Sequence, residues 1–238
     1  MLSAKVLARR VTAEFTGTAF LVAAVVGSGI MAERLAGGNA AIALLANTIA
    51  TGAALVTLIL AFAPISGAHF NPAVSFAAAL EGQLRVLQAG AYIAAQIVGG
   101  VAGTLAAHMM FSLPLISLSR HARAGSAQAF SEFIATFGLL AVIWGTSARA
   151  NLVPFAVGAY ITAAYWFTAS TSFANPAGTL ARSLSNTFSG IRPADAPYFI
   201  GSQFLGATAA VLLFRWLAPP MGARASQEIP AGAEAEHD

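Results

Sequence analysis

The chain has 238 residues, of which 58% are hydrophobic and only 9% are charged. Soluble domains carry about 25% charged residues, so this composition excludes a soluble globular protein and indicates helices packed in a lipid bilayer. The net charge of +3 is small, and we attribute the basic residues to membrane topology and not to nucleic-acid binding. Because the chain has no cysteine, disulfides and thiolate metal ligands are excluded.

Six apolar stretches are long enough to cross a bilayer, which takes about 20 residues. In chain order they cover roughly residues 11–32, 40–62, 86–110, 129–146, 152–170 and 198–217. The basic residues Lys5, Arg9 and Arg10 precede the first stretch, as in a signal peptide. That stretch is too long for a signal peptide and contains Glu14, so we predict that it is the first membrane helix.

Two Asn-Pro-Ala triplets interrupt this pattern, Asn71-Pro72-Ala73 and Asn175-Pro176-Ala177. Asparagine is a favoured helix N-cap, and proline suits the first helical turn, so each triplet predicts a helix start. The segments that follow, roughly 71–80 and 175–186, are too short to span a membrane. We predict two re-entrant half-helices that line a water-filled cavity.

The chain also repeats internally. The matched residues are Glu14 with Glu132, Asn71 with Asn175, Gln96 with Gln203, and Gly99 with Gly206. Each half has three spans, and this odd number predicts that the second half crosses the membrane in the opposite direction. We predict a single domain over 1–217, with repeats at about 11–110 and 129–217, and a disordered tail over 218–238. Gly99, Gly103, Gly201 and Gly206 predict close helix packing.

The distribution of lysine and arginine predicts that both termini are cytoplasmic. With that orientation the cytoplasmic side holds seven basic residues and the other side four, or five with Arg182. No residue set resembles a nucleotide site, and the histidines show no metal-binding spacing, so we expect no enzyme activity, no cofactor and no metal.

The triplets and their flanks resemble the two signatures of the aquaporin, or major intrinsic protein, family. The first is Ser66-Gly67-Ala68-His69-Phe70-Asn71-Pro72-Ala73-Val74, and the second is Ser172-Phe173-Ala174-Asn175-Pro176-Ala177. The resemblance covers about residues 11–217. It implies an all-α membrane fold of six transmembrane helices and two half-helices, with a pore through each protomer of a homotetramer. It also implies that Asn71 and Asn175 point amide N–H groups into the pore.

The two buried acidic positions, Glu14 and Glu132, allow two interpretations. Ionisable residues inside membrane spans often serve function, so a proton relay is one. The resemblance favours the other, in which each carboxylate accepts N–H groups from the backbone before a half-helix. His69 is likewise either a pH gate or a packed residue that offers its carbonyl to the pore.

The chain departs from the family at the selectivity filter. Most water-selective members have arginine directly after the second triplet, where this chain has Gly178. Spacing places the other filter positions at Thr51, at Ala163 or a close neighbour, and at Ser172. Thr51, Ala163 and Ser172 are all small, which predicts a wide filter. Arg182 lies one turn beyond Gly178 and either reaches back to the filter or extends to the outer surface.

The second signature is similar to a bacterial branch associated with arsenic resistance, which implies a bacterial inner membrane. We expect passive conduction of water and small uncharged solutes, such as glycerol-like polyols or arsenous acid. If Arg182 completes the filter, the channel is instead water-selective. A coupled secondary transporter would share the inverted repeat but would need a charge partner for Glu14 or Glu132, and none is evident.

Overall fold

The computed structural model describes residues 3–217, and in this range the chain forms eight α-helices. They are α1 (Ala4–Leu35), α2 (Ala40–Ser66), α3 (Pro72–Leu80), α4 (Val86–Met110), α5 (Ser126–Thr146), α6 (Val153–Phe167), α7 (Pro176–Arg182) and α8 (Ala196–Leu217). Of these, α1, α2, α4, α5 and α8 are long and apolar enough to cross a membrane, and α6 is apolar but has 15 residues. The predicted all-α membrane fold is confirmed, while the predicted tail lies outside the described residues.

The helices form two repeats of the same order, α1–α4 and α5–α8. Within the first repeat, α1 packs against α2 and α4, and α5 packs in the same way against α6 and α8. The repeats join where α2 meets α6, and each short helix also packs against the other repeat, α3 against α8 and α7 against α4. This exchange brings the starts of α3 and α7 together between the repeats.

Both short helices start where the sequence predicts. Asn71 and Asn175 are N-caps with extended backbone, and a proline occupies the first turn of each helix. The predicted end of the second short helix, at residue 186, is wrong, because α7 ends at Arg182. From Ser183 onward the backbone N–H groups bond to carbonyls three residues back, which tightens the last turn and ends the helix.

Two glycines allow the long helices of each repeat to approach closely. A Cβ atom at Gly99 would collide with the carbonyl oxygen of Phe15 in α1, and one at Gly206 would collide with that of Phe133 in α5. The predicted packing role is therefore correct for this matched pair. It is wrong for Gly201, where a Cβ would meet nothing within 4 Å.

Candidate functional site

A cavity of about 290 Å³ lies between the two repeats. Its walls are mostly aliphatic side chains from α1, α2, α5 and α6, including Leu21, Val25, Leu139 and Val157. Polar groups enter this wall chiefly where α3 and α7 begin. An apolar wall with a few fixed polar groups gives a small solute little to bind except those groups.

Asn71 and Asn175 both line the cavity and are linked across the two repeats. The Asn71 amide Nδ2 donates to the carbonyl of Ala174 at 2.7 Å, and the Asn175 Nδ2 donates to the carbonyl of Phe70 at 2.8 Å. Each side-chain oxygen accepts a backbone N–H from the first turn of its own helix. Because an amide group carries two N–H hydrogens, each asparagine keeps one donor for a molecule in the cavity.

The backbone before each triplet has an unusual and matching conformation. The φ angles are +50° at Ala68 and +49° at Phe70 in the first repeat, and +50° at Ser172 and +47° at Ala174 in the second. The left-handed region costs a residue with a side chain roughly 1–2 kcal/mol. Four such residues at matched positions therefore need support from the surrounding structure.

Glu14 and Glu132 provide this support. Glu14 accepts the backbone N–H groups of His69 and Phe70 at 3.0 and 2.7 Å, and Glu132 accepts those of residues 173–174, both at 2.8 Å. Both carboxylates are fully buried. With the N–H groups of these segments directed at the carboxylates, the remaining carbonyls are free to face the cavity.

A glutamine in each repeat completes the arrangement. Gln96 donates to Glu14 at 2.8 Å and to the hydroxyl of Ser75, while Gln203 donates to Glu132 at 2.6 Å and to the hydroxyl of Thr179. Each carboxylate thus accepts hydrogen bonds from two backbone N–H groups and from a glutamine side chain. This geometry supports the structural interpretation of the two glutamates over a proton relay.

His69 is predicted either to gate the pore by pH or to be a packed residue, and its surroundings have features of both. It is among the residues that line the cavity. Its ring Nδ1 lies 3.0 Å from the hydroxyl of Ser75, and the ring packs edge-on against Tyr92 with centroids 5.5 Å apart. The side chain is therefore held from two sides.

Four of the five predicted filter residues line the same cavity: Thr51, Ser172, Gly178 and Arg182. The placement of Ala163 is wrong, because this residue is exposed on the outside of α6 and does not reach the cavity. Its near neighbour Tyr165 does line the cavity, and the hydroxyl of Tyr165 lies 3.2 Å from that of Thr51.

The error at Ala163 has a simple geometric origin. Two residues along an α-helix correspond to a rotation of about 200°, so Ala163 and Tyr165 face nearly opposite sides. The position was obtained by spacing from Asn175, across the irregular connection between α6 and α7. Tyr165 follows Val157 and Ile161 at helical spacing on the buried face of α6, and this spacing was the available signal.

Arg182 lies in the wall of the cavity and does not extend to the outer surface. The residue is only 4% exposed, and its Nε donates to the carbonyl of Ser189. Its guanidinium carbon lies 3.2 Å from the centroid of the Phe173 ring. At Gly178 itself, a Cβ would meet the Asn175 side chain only at an ordinary 3.6 Å, so there is room for a side chain.

Comparison with known proteins agrees with this architecture. A family model described as "MIP: Major intrinsic protein" matches residues 1–171. The chain is 57% identical to the protein named "Aquaglyceroporin AqpS" from Rhizobium meliloti (strain 1021), over 90% of this chain and 92% of that one. It is 34% identical to "Aquaporin A" from Dictyostelium discoideum, over 86% of this chain and 76% of that one.

A solved structure supports the fold. The X-ray structure of the aquaglyceroporin from Plasmodium falciparum matches with a TM-score of 0.69 at 23% identity, over 87% of this chain and 95% of that one. The helix order, the paired asparagine caps and the cavity between the repeats define a multi-pass membrane channel. The chain belongs to the major intrinsic protein family. It is a channel for water and small solutes and not an enzyme.

Proposed function

We propose that this channel passively conducts water together with small uncharged hydroxylated solutes, namely glycerol-like polyols and metalloid hydroxides such as arsenous acid. The observation that carries the proposal is Gly178, which lies in the cavity wall without a side chain and where an added Cβ would make only ordinary van der Waals contact. A large side chain is thereby missing where water-selective relatives carry one. The name aquaglyceroporin, given to the relative from Rhizobium meliloti, supports the same solute class.

Conduction would depend on a short series of fixed polar groups. The free amide N–H groups of Asn71 and Asn175 donate to the oxygen of water or of a hydroxyl group. The carbonyls before each triplet accept in return, so that a solute exchanges partners as it moves. Since the asparagines present donors and Arg182 adds a positive charge, the lumen disfavours cations.

Thr51, Tyr165, Ser172, Gly178 and Arg182 would form the filter. Gly178 leaves space on one side, and the hydroxyls of Thr51 and Tyr165 form a polar edge on another. Arg182 supplies the cation from the next turn of α7, against the wall. We infer a filter that keeps a positive charge but is wider than one with arginine at residue 178.

One observation favours a second candidate function, a water-selective channel. Arg182 is buried in the cavity wall, so its guanidinium takes up some of the space that Gly178 leaves. The two candidates predict different permeability to solutes larger than water.

Stopped-flow measurements on proteoliposomes separate the two. Wild-type protein should raise permeability to water, glycerol and arsenous acid above that of protein-free vesicles. Gly178→Arg should keep most water permeability and slow glycerol and arsenous acid about tenfold or more, because their hydroxyl groups need room to turn between acceptors. Gly178→Ala is the matched control and should retain all three. Equal reduction of water and solutes by Gly178→Arg would place the filter elsewhere, and a wild type that passes only water would establish the second candidate.

We further propose a homotetramer in a bacterial inner membrane, with both termini cytoplasmic. The exposed apolar side chains along α2, among them Ile42, Leu45 and Ile49, need contact with lipid or with a neighbouring protomer. The excess of basic residues on the proposed cytoplasmic side supports the orientation.

A further inference from the structure

The connection between the two repeats, residues 111–125, lies against the end of α7. The backbone N–H groups of Ser117 and Ser119 donate to the carbonyls of Leu184 and Ser183 at 3.0 and 2.9 Å. This pairing brings Arg123, which is distant in sequence from both triplets, close to the filter.

The Arg123 side chain joins the segments on either side of α7. Its Nε donates to the carbonyl of Gly190 at 2.8 Å, after the helix, and its Nη1 donates to the carbonyl of Ser170 at 3.1 Å, before the helix. Its backbone N–H donates to the Asp195 carboxylate at 2.9 Å. The hydrogen bond from Arg192 holds the pKa of Asp195 below its usual value, so this acceptor remains charged.

Arg123 also lies close to Arg182, through one shared aromatic ring and two adjacent carbonyls. The guanidinium carbon of Arg123 lies 5.0 Å from the centroid of the Phe173 ring, the same ring that Arg182 contacts. The two arginines also donate to adjacent carbonyls, Arg123 to Gly190 and Arg182 to Ser189. Arg123 therefore contacts the ring that packs against Arg182 and the residue next to the carbonyl that Arg182 bonds to.

Neither guanidinium is neutralised by a carboxylate within residues 3–217. The ion pairs there are Arg192 with Asp195 and Arg215 with Glu81. Hydrogen bonds to carbonyls and contact with the aromatic ring hold the two cations in place.

We propose that Arg123 is a positioning residue for the filter, which keeps the Arg182 guanidinium against the cavity wall through Phe173 and the 189–190 carbonyls. When Arg123 is lost, these supports loosen, and the Arg182 side chain extends into the lumen and narrows it. This inference rests on the proposed function for its readout, since it concerns the passage of solutes larger than water.

The test is a mutant cycle read as the ratio of glycerol to water permeability in the same proteoliposomes. This ratio does not depend on how much protein is folded or inserted, so a merely structural role would not change it. Arg123→Gln should lower the ratio about threefold or more, the scale of coupling between residues in one network. Arg123→Lys keeps the charge but replaces the planar guanidinium, whose separate nitrogens reach the two carbonyls, by a single nitrogen, and should lower the ratio similarly.

Making the same substitution in protein that lacks Arg182 tests whether Arg123 acts through Arg182. In Arg182→Ala protein, Arg123→Gln should leave the ratio unchanged, because no guanidinium remains to be positioned. Arg120→Gln removes the same charge from an exposed side chain of the same connection and should leave the ratio at the wild-type value.

Three results would overturn the inference: an unchanged ratio in Arg123→Gln, a wild-type ratio in Arg123→Lys, or an equal fall with and without Arg182. If Arg123→Gln does not fold, the permeability ratio of Arg123→Lys alone tests the inference. If the wild type passes no glycerol, the proposed function fails separately, and the cycle is then read as water permeability per reconstituted channel.

Discussion

Asn71 and Asn175 each perform two tasks with one side chain. The oxygen caps a short helix, and the amide nitrogen spans the two repeats while keeping one N–H for the lumen. No other common side chain offers an acceptor and two donors at this length. The capping signal was readable from the sequence because it is local.

The first prediction replaces the amide by a carboxylate in Asn71→Asp and Asn175→Asp. The new oxygen would face a carbonyl that now accepts a hydrogen bond, and would bring a buried negative charge to the lumen. We expect loss of glycerol flux, accompanied by a new cation leak or by poor folding. Asn39→Asp, at the exposed cap of α2, is the control and should behave as wild type. Normal flux without leak in both variants would refute the role of the central amides.

The filter shows where sequence reasoning at the residue scale stops. Thr51, Ser172 and Gly178 do line the cavity, and each lies in a helix or close to a capping signal that the sequence shows. Spacing from Asn175 predicts Ala163 and not Tyr165, since an irregular connection separates both residues from Asn175. The position of Arg182 depends on Phe173 and Ser189, contacts that no local pattern encodes.

At the scale of elements, each short helix depends on a carboxylate from a long helix. Glu132→Gln removes the charge and one acceptor, and turns an NH₂ group toward backbone N–H donors. Hydrogen bonds to charged groups contribute about 1.5–3 kcal/mol each, so we expect about 3 kcal/mol lower stability and a clearly lower unfolding temperature in detergent. Glu33→Gln, on the exposed end of α1, is the matched control. An unchanged unfolding temperature in Glu132→Gln would show that the backbone before α7 holds its conformation unaided.

Helix starts and helix ends differed in how well they could be predicted. The asparagine-proline pairs specify the starts of α3 and α7 through backbone chemistry at two adjacent residues. The end of α7 at Arg182 carries no glycine or proline signal and depends on contacts with the 111–125 connection. The fold could therefore be predicted from the internal repeat and the hydropathy pattern. The part of the site at the end of α7, around Arg182, could not.

At the scale of the whole molecule, the absence of cysteine gives a direct test of purity and mechanism. Thiol-directed mercurials should not block conduction, because the chain offers them no thiol. Water permeability of proteoliposomes before and after mercurial treatment is the measurement. Rapid block that added thiol reverses would contradict this and indicate another channel in the preparation.

The central claim is that one protein supplies a passive path for water and small uncharged solutes. Wild-type proteoliposomes and protein-free vesicles are compared by stopped flow for water and glycerol, with and without an uncoupler that collapses proton gradients. Both fluxes should exceed those of protein-free vesicles, follow the solute gradient alone and be unaffected by the uncoupler. Glycerol flux that disappears with the uncoupler would indicate a coupled transporter. Fluxes no greater than those of protein-free vesicles would show that the protein does not conduct either solute.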